Sequence, residues 1–254
     1  NNVKSTFILG DSVSFGFGVR EKDTFVGILR DQVNTNLINS SVIGHNLESY
    51  IYLLNKHINK STEKFDKVII FLCLNDIHLE QGVVSEDEFK KKINYQKDGF
   101  FIKFLKNKTF AKINVFLREK SALFVFLKSI GTNSVKRHYE YMRKAYEDDN
   151  LLFKYSEYIK EIKNFSELNN FEINFVLLPY SYQVIKNCEK QYIQPQIKVK
   201  KIFQQLNLDL YDFTNNFCTD SNGKNFFIGH DPVHLSNAGH KFVSILLIEN
   251  KIIK

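Results

Sequence analysis

At 254 residues, with 43% hydrophobic and 14% aromatic residues, the chain is long enough for one α/β domain with a filled core and far from the composition of disordered proteins. Only 3 Pro and 11 Gly argue against a loop-rich all-β sandwich. The net charge of +7, from 35 Lys and Arg against 28 Asp and Glu, comes without zinc-finger spacing, an RNP-type aromatic motif or a basic arm. It therefore describes a lysine-rich surface, and no nucleic-acid partner is expected.

Three cysteines are too few and too scattered for a disulfide scaffold, and none forms a C-x-x-C pair. Cys73 lies in an apolar run and is expected to be buried. A Cys188 to Cys218 bridge would suit an exported enzyme, but the sequence supplies no geometry for it. No stretch reaches the about 18 uninterrupted apolar residues of a membrane span. The chain starts at Asn1 without Met and enters a strand-like run directly, which is compatible with a targeting segment removed upstream. A periplasmic, cell-envelope or secreted location is expected over a cytoplasmic one.

In chain order, Thr6 to Leu9 is a short apolar run cut off by Gly10 and predicts a buried strand. Thr24 to Val33 has helical spacing, with Phe25, Ile28 and Leu29 on one face and Thr24 near a cap. A second strand is predicted over Leu37 to Ile43, followed by Gly44 and a helix carrying Leu47, Tyr50, Ile51 and Leu54. Lys67 to Leu72 contains five consecutive apolar residues and predicts a central parallel strand whose carboxyl end delivers Asn75 and Asp76.

Residues 85 to 150 are less regular and predict a helical insertion, where a lid or substrate wall would be built. The Phe and Lys mixture of 98–130 also suits contact with a membrane surface or an acyl chain; a helical cap packed on its own domain is preferred. A helix from Leu151 to Leu168 follows, then a fourth strand from Phe171 to Leu178 stopped by Pro179. A helix over Gln194 to Leu206, a short strand at Asp209 to Tyr211 and a last helix from Ser236 to Ile248 complete the alternation. Five strands alternating with helices predict one domain, a three-layer α/β/α sandwich on a mostly parallel sheet. Chemistry in such sheets collects at the carboxyl ends of the strands.

Gly10, Asp11 and Ser12 follow the first strand directly, which places the Ser12 hydroxyl near a helix start that favours a developing anion. Ser14 is the rival nucleophile, and taken alone a Gly-Asp-Ser tripeptide is better explained as a turn and a cap. Asp231 and His234, three apart just before the last helix, are close enough for the carboxylate to orient the imidazole. His230, His234 and Asp231 also admit a metal reading, which Pro232 and the lack of any H-E-x-x-H weaken. His230 and His240 read as structural or near-site residues. Asn75 and the backbone at Gly44 and Ser12 offer donors for an oxyanion, although Asn, Asp and Gly are also ordinary loop formers. There is no G-x-S-x-G elbow, no dinucleotide loop at Gly16 and Gly18, and no Walker A spacing.

Taken together, the four clusters resemble the blocks of the SGNH, or GDSL-like, hydrolase superfamily. GDSVSFGFGV at 10–19, Gly44 in NSSVIGHN, Asn75 in FLCLND and DPVHLSNAGH at 231–240 occur in the family's order. Cys73 stands where the third block usually has Gly, and Val13 where Leu is commoner; altered packing near the oxyanion hole is expected from Cys73. The resemblance implies a flavodoxin-like sandwich and ester hydrolysis through an acyl-enzyme with no metal or cofactor. His234 would take the Ser12 proton, Asp231 would hold His234, and Ser12, Gly44 and Asn75 would form the oxyanion hole. A carbohydrate or cell-envelope O-acetyl or O-acyl esterase, acting on a small-molecule or glycan ester, is the leading expectation. A lipase or thioesterase, an acyltransferase with the same triad, and a glycan-binding module with an idle site are the alternatives.

Overall fold

In the computed structural model, β1 (Ser5–Leu9) is buried along its whole length, as a strand covered on both faces must be. The chain then turns at Gly10 into a one-turn helix, α1 (Ser12–Phe15), capped by the Asp11 carboxylate, which accepts from the Val13 N–H at 2.9 Å. Space favours Gly10: a Cβ there would stand 1.9 Å from Ser14 Oγ and 3.1 Å from the Phe71 carbonyl oxygen, displacing the buried Ser14 hydroxyl. Helix α2 (Phe25–Arg30) starts from Thr24, whose hydroxyl accepts from the Gly27 N–H at 3.0 Å.

Strand β2 (Asn36–Asn39) is shorter than the 37–43 run the sequence predicts. Asn39 ends it: its Oδ1 accepts from the Ser41 N–H at 3.1 Å and its Nδ2 donates to the Ser14 carbonyl at 3.1 Å. A side chain that bonds the backbone two residues on competes with the ladder and bends the chain out. The departing segment still runs beside the first strand, with the Val42 N–H on the Gly10 carbonyl at 3.1 Å.

Helix α3 (Leu47–Lys60) crosses to β3 (Lys67–Leu72), whose Val68, Ile69, Ile70 and Leu72 have no exposed surface. A 3₁₀ turn (Leu74–Ile77) follows at once. Helix α4 (Ser134–Ala145) buries Tyr139, Met142 and Ala145, three apart, against the core, and α5 (Asp149–Leu168) leads to β4 (Glu172–Leu177). Helices α6 (Ser181–Ile185) and α7 (Gln194–Gln205) precede β5 (Leu210–Asp212), and α8 (Thr214–Thr219) and α9 (Asn237–Glu249) close the chain.

All four strand pairings are parallel, in the order β2-β1-β3-β4-β5. With right-handed crossovers this order puts α2 on one face and α3, α5 and α7 on the other, and α9, after the last strand, joins α2. The packing agrees: α9 lies on α2, α3 on α5, and α7 on β5. The result is the expected three-layer sandwich. Its apolar centre includes Phe25 against Phe71, with ring centroids 4.5 Å apart, and Phe175 against Phe203 at 4.9 Å. The chain reverses its winding between β1 and β3, and the crevice at their carboxyl ends is where such sheets bind ligands.

Structure is described for residues 5–60, 65–78 and 133–253. The chain clusters into two compact units, Asn1–Gly82 with Val135–Lys254, and Val83–Ser134. Of the insertion expected from 85 to 150, residues 85–132, with the membrane-contact reading of 98–130, lie outside the described residues, and from Val135 onward the chain belongs to the sheet-bearing unit. Cys188 and Cys218 form a disulfide with a Cα–Cα distance of 5.9 Å, linking the stretch after α6 to α8. Cys73 is buried, as its apolar setting predicts.

Candidate active site

Two segments far apart in sequence meet at the carboxyl edge of the sheet. Ser12 stands one residue past the Asp11 cap, partly exposed, and as first residue of α1 its N–H has no acceptor within the helix. His234 lies in the loop before α9, where Phe227 and Leu235 form an isolated antiparallel bridge and Ile228 N–H donates to the His234 carbonyl at 3.0 Å. His234 Nε2 is 2.9 Å from Ser12 Oγ, and His234 Nδ1 is 2.8 Å from Asp231 Oδ2.

Asp231 is held for this task by its own backbone. Its Oδ1 accepts from the N–H groups of Val233 at 2.8 Å and His234 at 2.7 Å. Partial burial pushes its carboxyl up, but the hydrogen bond from the His234 ring, these two N–H groups and the charge of that same imidazole outweigh the burial and hold it below the usual carboxylate range. An ionised carboxylate only accepts, so Nδ1 carries a proton and Nε2 is left as acceptor. The Ser12 hydroxyl then donates to Nε2, the arrangement in which an imidazole can remove a serine proton.

Ser14, the rival nucleophile, has no exposed surface, and its hydroxyl faces the Asp11 carbonyl at 3.5 Å. His230 is exposed in a left-handed turn, with φ of 63°. His240 is buried in α9, where its Nδ1 accepts from the Phe25 N–H at 3.3 Å. The structure thus brings Ser12, Asp231 and His234 together and leaves these three residues out.

Asn75 sits on the 3₁₀ turn after β3. Its Nδ2 donates to Asp11 Oδ2 at 2.7 Å, and its Oδ1 accepts from the Tyr180 hydroxyl at 3.0 Å. One acceptor and one donor on opposite ends of the amide fix which end is nitrogen. One Nδ2 proton goes to Asp11, which leaves the second available to an oxyanion. Asp11 is fully buried; burial pushes its carboxyl up, while the bonds from Asn75 and Val13 and the charge of His234 pull it back.

The turn itself is tied by Asp76, whose Oδ2 accepts from the Cys73 N–H at 2.7 Å and whose Oδ1 accepts from the Tyr50 hydroxyl at 2.9 Å. Cys73 in place of a glycine is accommodated by that turn with extended backbone, φ −122°. Gly44 lies in the exposed loop running from β2 beside Gly10, with φ of 80°, a conformation that favours glycine. Open space surrounds the position a Cβ would take.

Four further residues, Phe17, His138, Tyr180 and Ser181, border the site. The Phe17 ring packs on the His234 ring with centroids 4.7 Å apart. Tyr180 holds Asn75, and the Ser181 hydroxyl donates to the Asp231 carbonyl at 2.9 Å. His138 of α4 stacks on Tyr180 at 5.5 Å; burial pushes its imidazole down, and it feels the charges of both Asp231 and His234. Tyr180 and Ser181 follow the carboxyl end of β4, and that position was the one available signal.

A parallel sheet in the order β2-β1-β3-β4-β5 with helices on both faces is the α/β fold of the SGNH hydrolases, and the solved structures that match share it. Among solved structures, TesA matches with a TM-score of 0.54 and 12% identity over 97% of both chains. A member of the lipolytic protein G-D-S-L family from Veillonella parvula matches with a TM-score of 0.52 and 15% identity, again over 97% of both. The acetyl xylan esterase AlAXEase matches with a TM-score of 0.50 and 15% identity over 97% of this chain and 98% of its own. No family model and no curated protein sequence matches the chain.

Proposed function

We propose that the protein is a serine esterase that cleaves carboxylic esters through an acyl-enzyme. The observation that carries this reading is the hydrogen-bonded row Ser12 Oγ, His234 Nε2, His234 Nδ1, Asp231 Oδ2. Ser12 attacks the ester carbonyl as its proton passes to His234, and Asp231 stabilises the imidazolium. The Ser12 N–H and the Asn75 amide take the oxyanion, joined by Gly44 from its loop. His234 then protonates the leaving alcohol, and water, activated by the same imidazole, releases the acid.

The substrate we assign is an O-acetyl or O-acyl ester of a carbohydrate or cell-envelope glycan, in keeping with the shared fold of an acetyl xylan esterase. A second reading, a longer acyl chain, is favoured by one observation. Phe15, Phe17, Val42 and Ile43, on the two segments flanking Ser12, are between 39% and 52% exposed. Among the described residues no helix is long and apolar enough to cross a membrane. The Cys188–Cys218 disulfide favours an oxidising compartment, hence a periplasmic, cell-envelope or secreted location.

The test is covalent labelling with a fluorophosphonate, with the modified residue located by mass spectrometry. Labelling at Ser12 that is lost in Ser12→Ala supports the reading; equal hydrolysis by wild type and Ser12→Ala removes it. Nitrophenyl esters of increasing acyl length then separate the two substrates: a sharp preference for acetate sets aside the longer chain.

A further inference from the structure

We propose that Tyr180 and Ser181, the two residues after Pro179 at the end of β4, are positioning residues that set the oxyanion side and the acid–base side of the site against each other. The proposal rests on the serine esterase reading. Tyr180 reaches one side, its hydroxyl donating to Asn75 Oδ1 at 3.0 Å. Ser181 reaches the other, its N–H donating to the Pro232 carbonyl at 3.0 Å and its hydroxyl to the carbonyls of Asp231 at 2.9 Å and Pro232 at 3.1 Å. Adjacent residues thus bind Asn75 and the backbone of the Asp231 loop.

The dipeptide is itself held rigidly. Tyr180 has no exposed surface, and its N–H donates to Gln183 Oε1 at 2.9 Å. The Gln183 amide is locked in turn by reciprocal bonds with Gln196 at 2.7 and 2.9 Å. The stacked His138 ring packs against Tyr180 with an interplanar angle of 24°. Asn75 lies between Tyr180 and Asp11, and Asp11 also caps the helix carrying Ser12. A continuous chain of bonds therefore runs from the nucleophile's turn through Asp11, Asn75 and Tyr180 to Ser181 and the Asp231 loop.

The geometry gives Tyr180 a specific task. Without its hydroxyl the Asn75 carbonyl end is released, and the amide can rotate about its Asp11 bond and carry its second Nδ2 proton away from the oxyanion. Losing an oxyanion donor outright costs about 10²- to 10³-fold in kcat, so freeing one is expected to cost on the order of tenfold.

The experiment is a double-mutant cycle on nitrophenyl acetate with wild type, Tyr180→Phe, Asn75→Ala and the double variant. Supporting results are a kcat about tenfold lower for Tyr180→Phe with KM within about twofold, and a double variant no slower than Asn75→Ala. Unchanged kcat in Tyr180→Phe, or effects that simply multiply, overturns the positioning role while the esterase reading stands. A wild type that neither hydrolyses the ester nor labels at Ser12 overturns both. Should Tyr180→Phe fail to fold, NMR of the wild-type Tyr180 hydroxyl decides: a slowly exchanging proton in contact with the Asn75 side chain supports the clamp, and a rapidly exchanging one overturns it.

Discussion

His234 Nε2 stands 2.9 Å from Ser12 Oγ across 222 residues of sequence. The contact depends on where the last loop meets the first strand, since the local turns that hold Ser12 and His234 do not by themselves bring the two together. Asp231, by contrast, is placed locally, and its removal can be separated from loss of the loop.

Asp231→Asn keeps the side chain's shape and its acceptor for the Val233 and His234 N–H groups, but presents a neutral group to Nδ1. Activity is expected to fall on the order of 10³- to 10⁴-fold in kcat, with the fold intact by circular dichroism. Steady-state kinetics on a nitrophenyl ester reads this, and a loss below tenfold would show that His234 does not need the carboxylate.

His240 gives a pH-dependent contribution to stability. Burial pushes its imidazole from 6.5 down to about 4. The unfolded chain takes up a proton near pH 6.5 and the folded one does not until about 4, so stability is lost as pH falls across that window and levels off below it. The gap corresponds to about 3 kcal/mol. Asp11 and Asp76, whose carboxyls burial raises, act in the opposite sense. The difference between wild type and His240→Phe isolates the histidine: the wild type's advantage in chemical denaturation should shrink between pH 6.5 and 4. A constant difference would contradict the buried neutral imidazole.

Gly27 lies inside α2, where Gly→Ala normally gains about 1 kcal/mol. Here the new Cβ would stand 2.2 Å from the Glu21 carbonyl oxygen and 2.8 Å from Lys22 Cα, both backbone atoms. Gly27→Ala is therefore expected to destabilise by about 1–3 kcal/mol. Thermal unfolding checks the sign, and a raised midpoint would refute the close approach.

The Cys188–Cys218 bridge spans 30 residues of sequence. Closing a loop of that size is worth about 3–4 kcal/mol through the unfolded chain, so Cys188→Ser with Cys218→Ser should lower the unfolding midpoint markedly. Added reductant should do the same to the wild type and leave the double variant unmoved.

Much of the fold was legible because its signals are local. The apolar runs at 6–9 and 67–72 mark buried parallel strands, and the structure has strands at Ser5–Leu9 and Lys67–Leu72. Asn39 shortened the second strand through a side-chain bond to the Ser41 N–H that a hydropathy pattern does not register. Helix α4 was missed as a separate element because its polar face of Lys136, Arg137 and Glu140 dominates a stretch whose buried residues are only three.

The sequence by itself determined the residue types of the site and their order. Asp231 and His234 sit three apart in one loop, and Ser12 follows a short apolar strand at a glycine turn. Those relations depend on spacing and turn chemistry, which are properties of neighbours along the chain. Only the tertiary structure decided that Ser12 rather than Ser14 faces His234, which way the Asn75 amide points, and that Tyr180 and Ser181 hold both sides. These depend on parallel strands that end within two residues of one another, with Leu9 beside Ile70 and Leu72 beside Leu177, so that residues over a hundred positions apart share one edge.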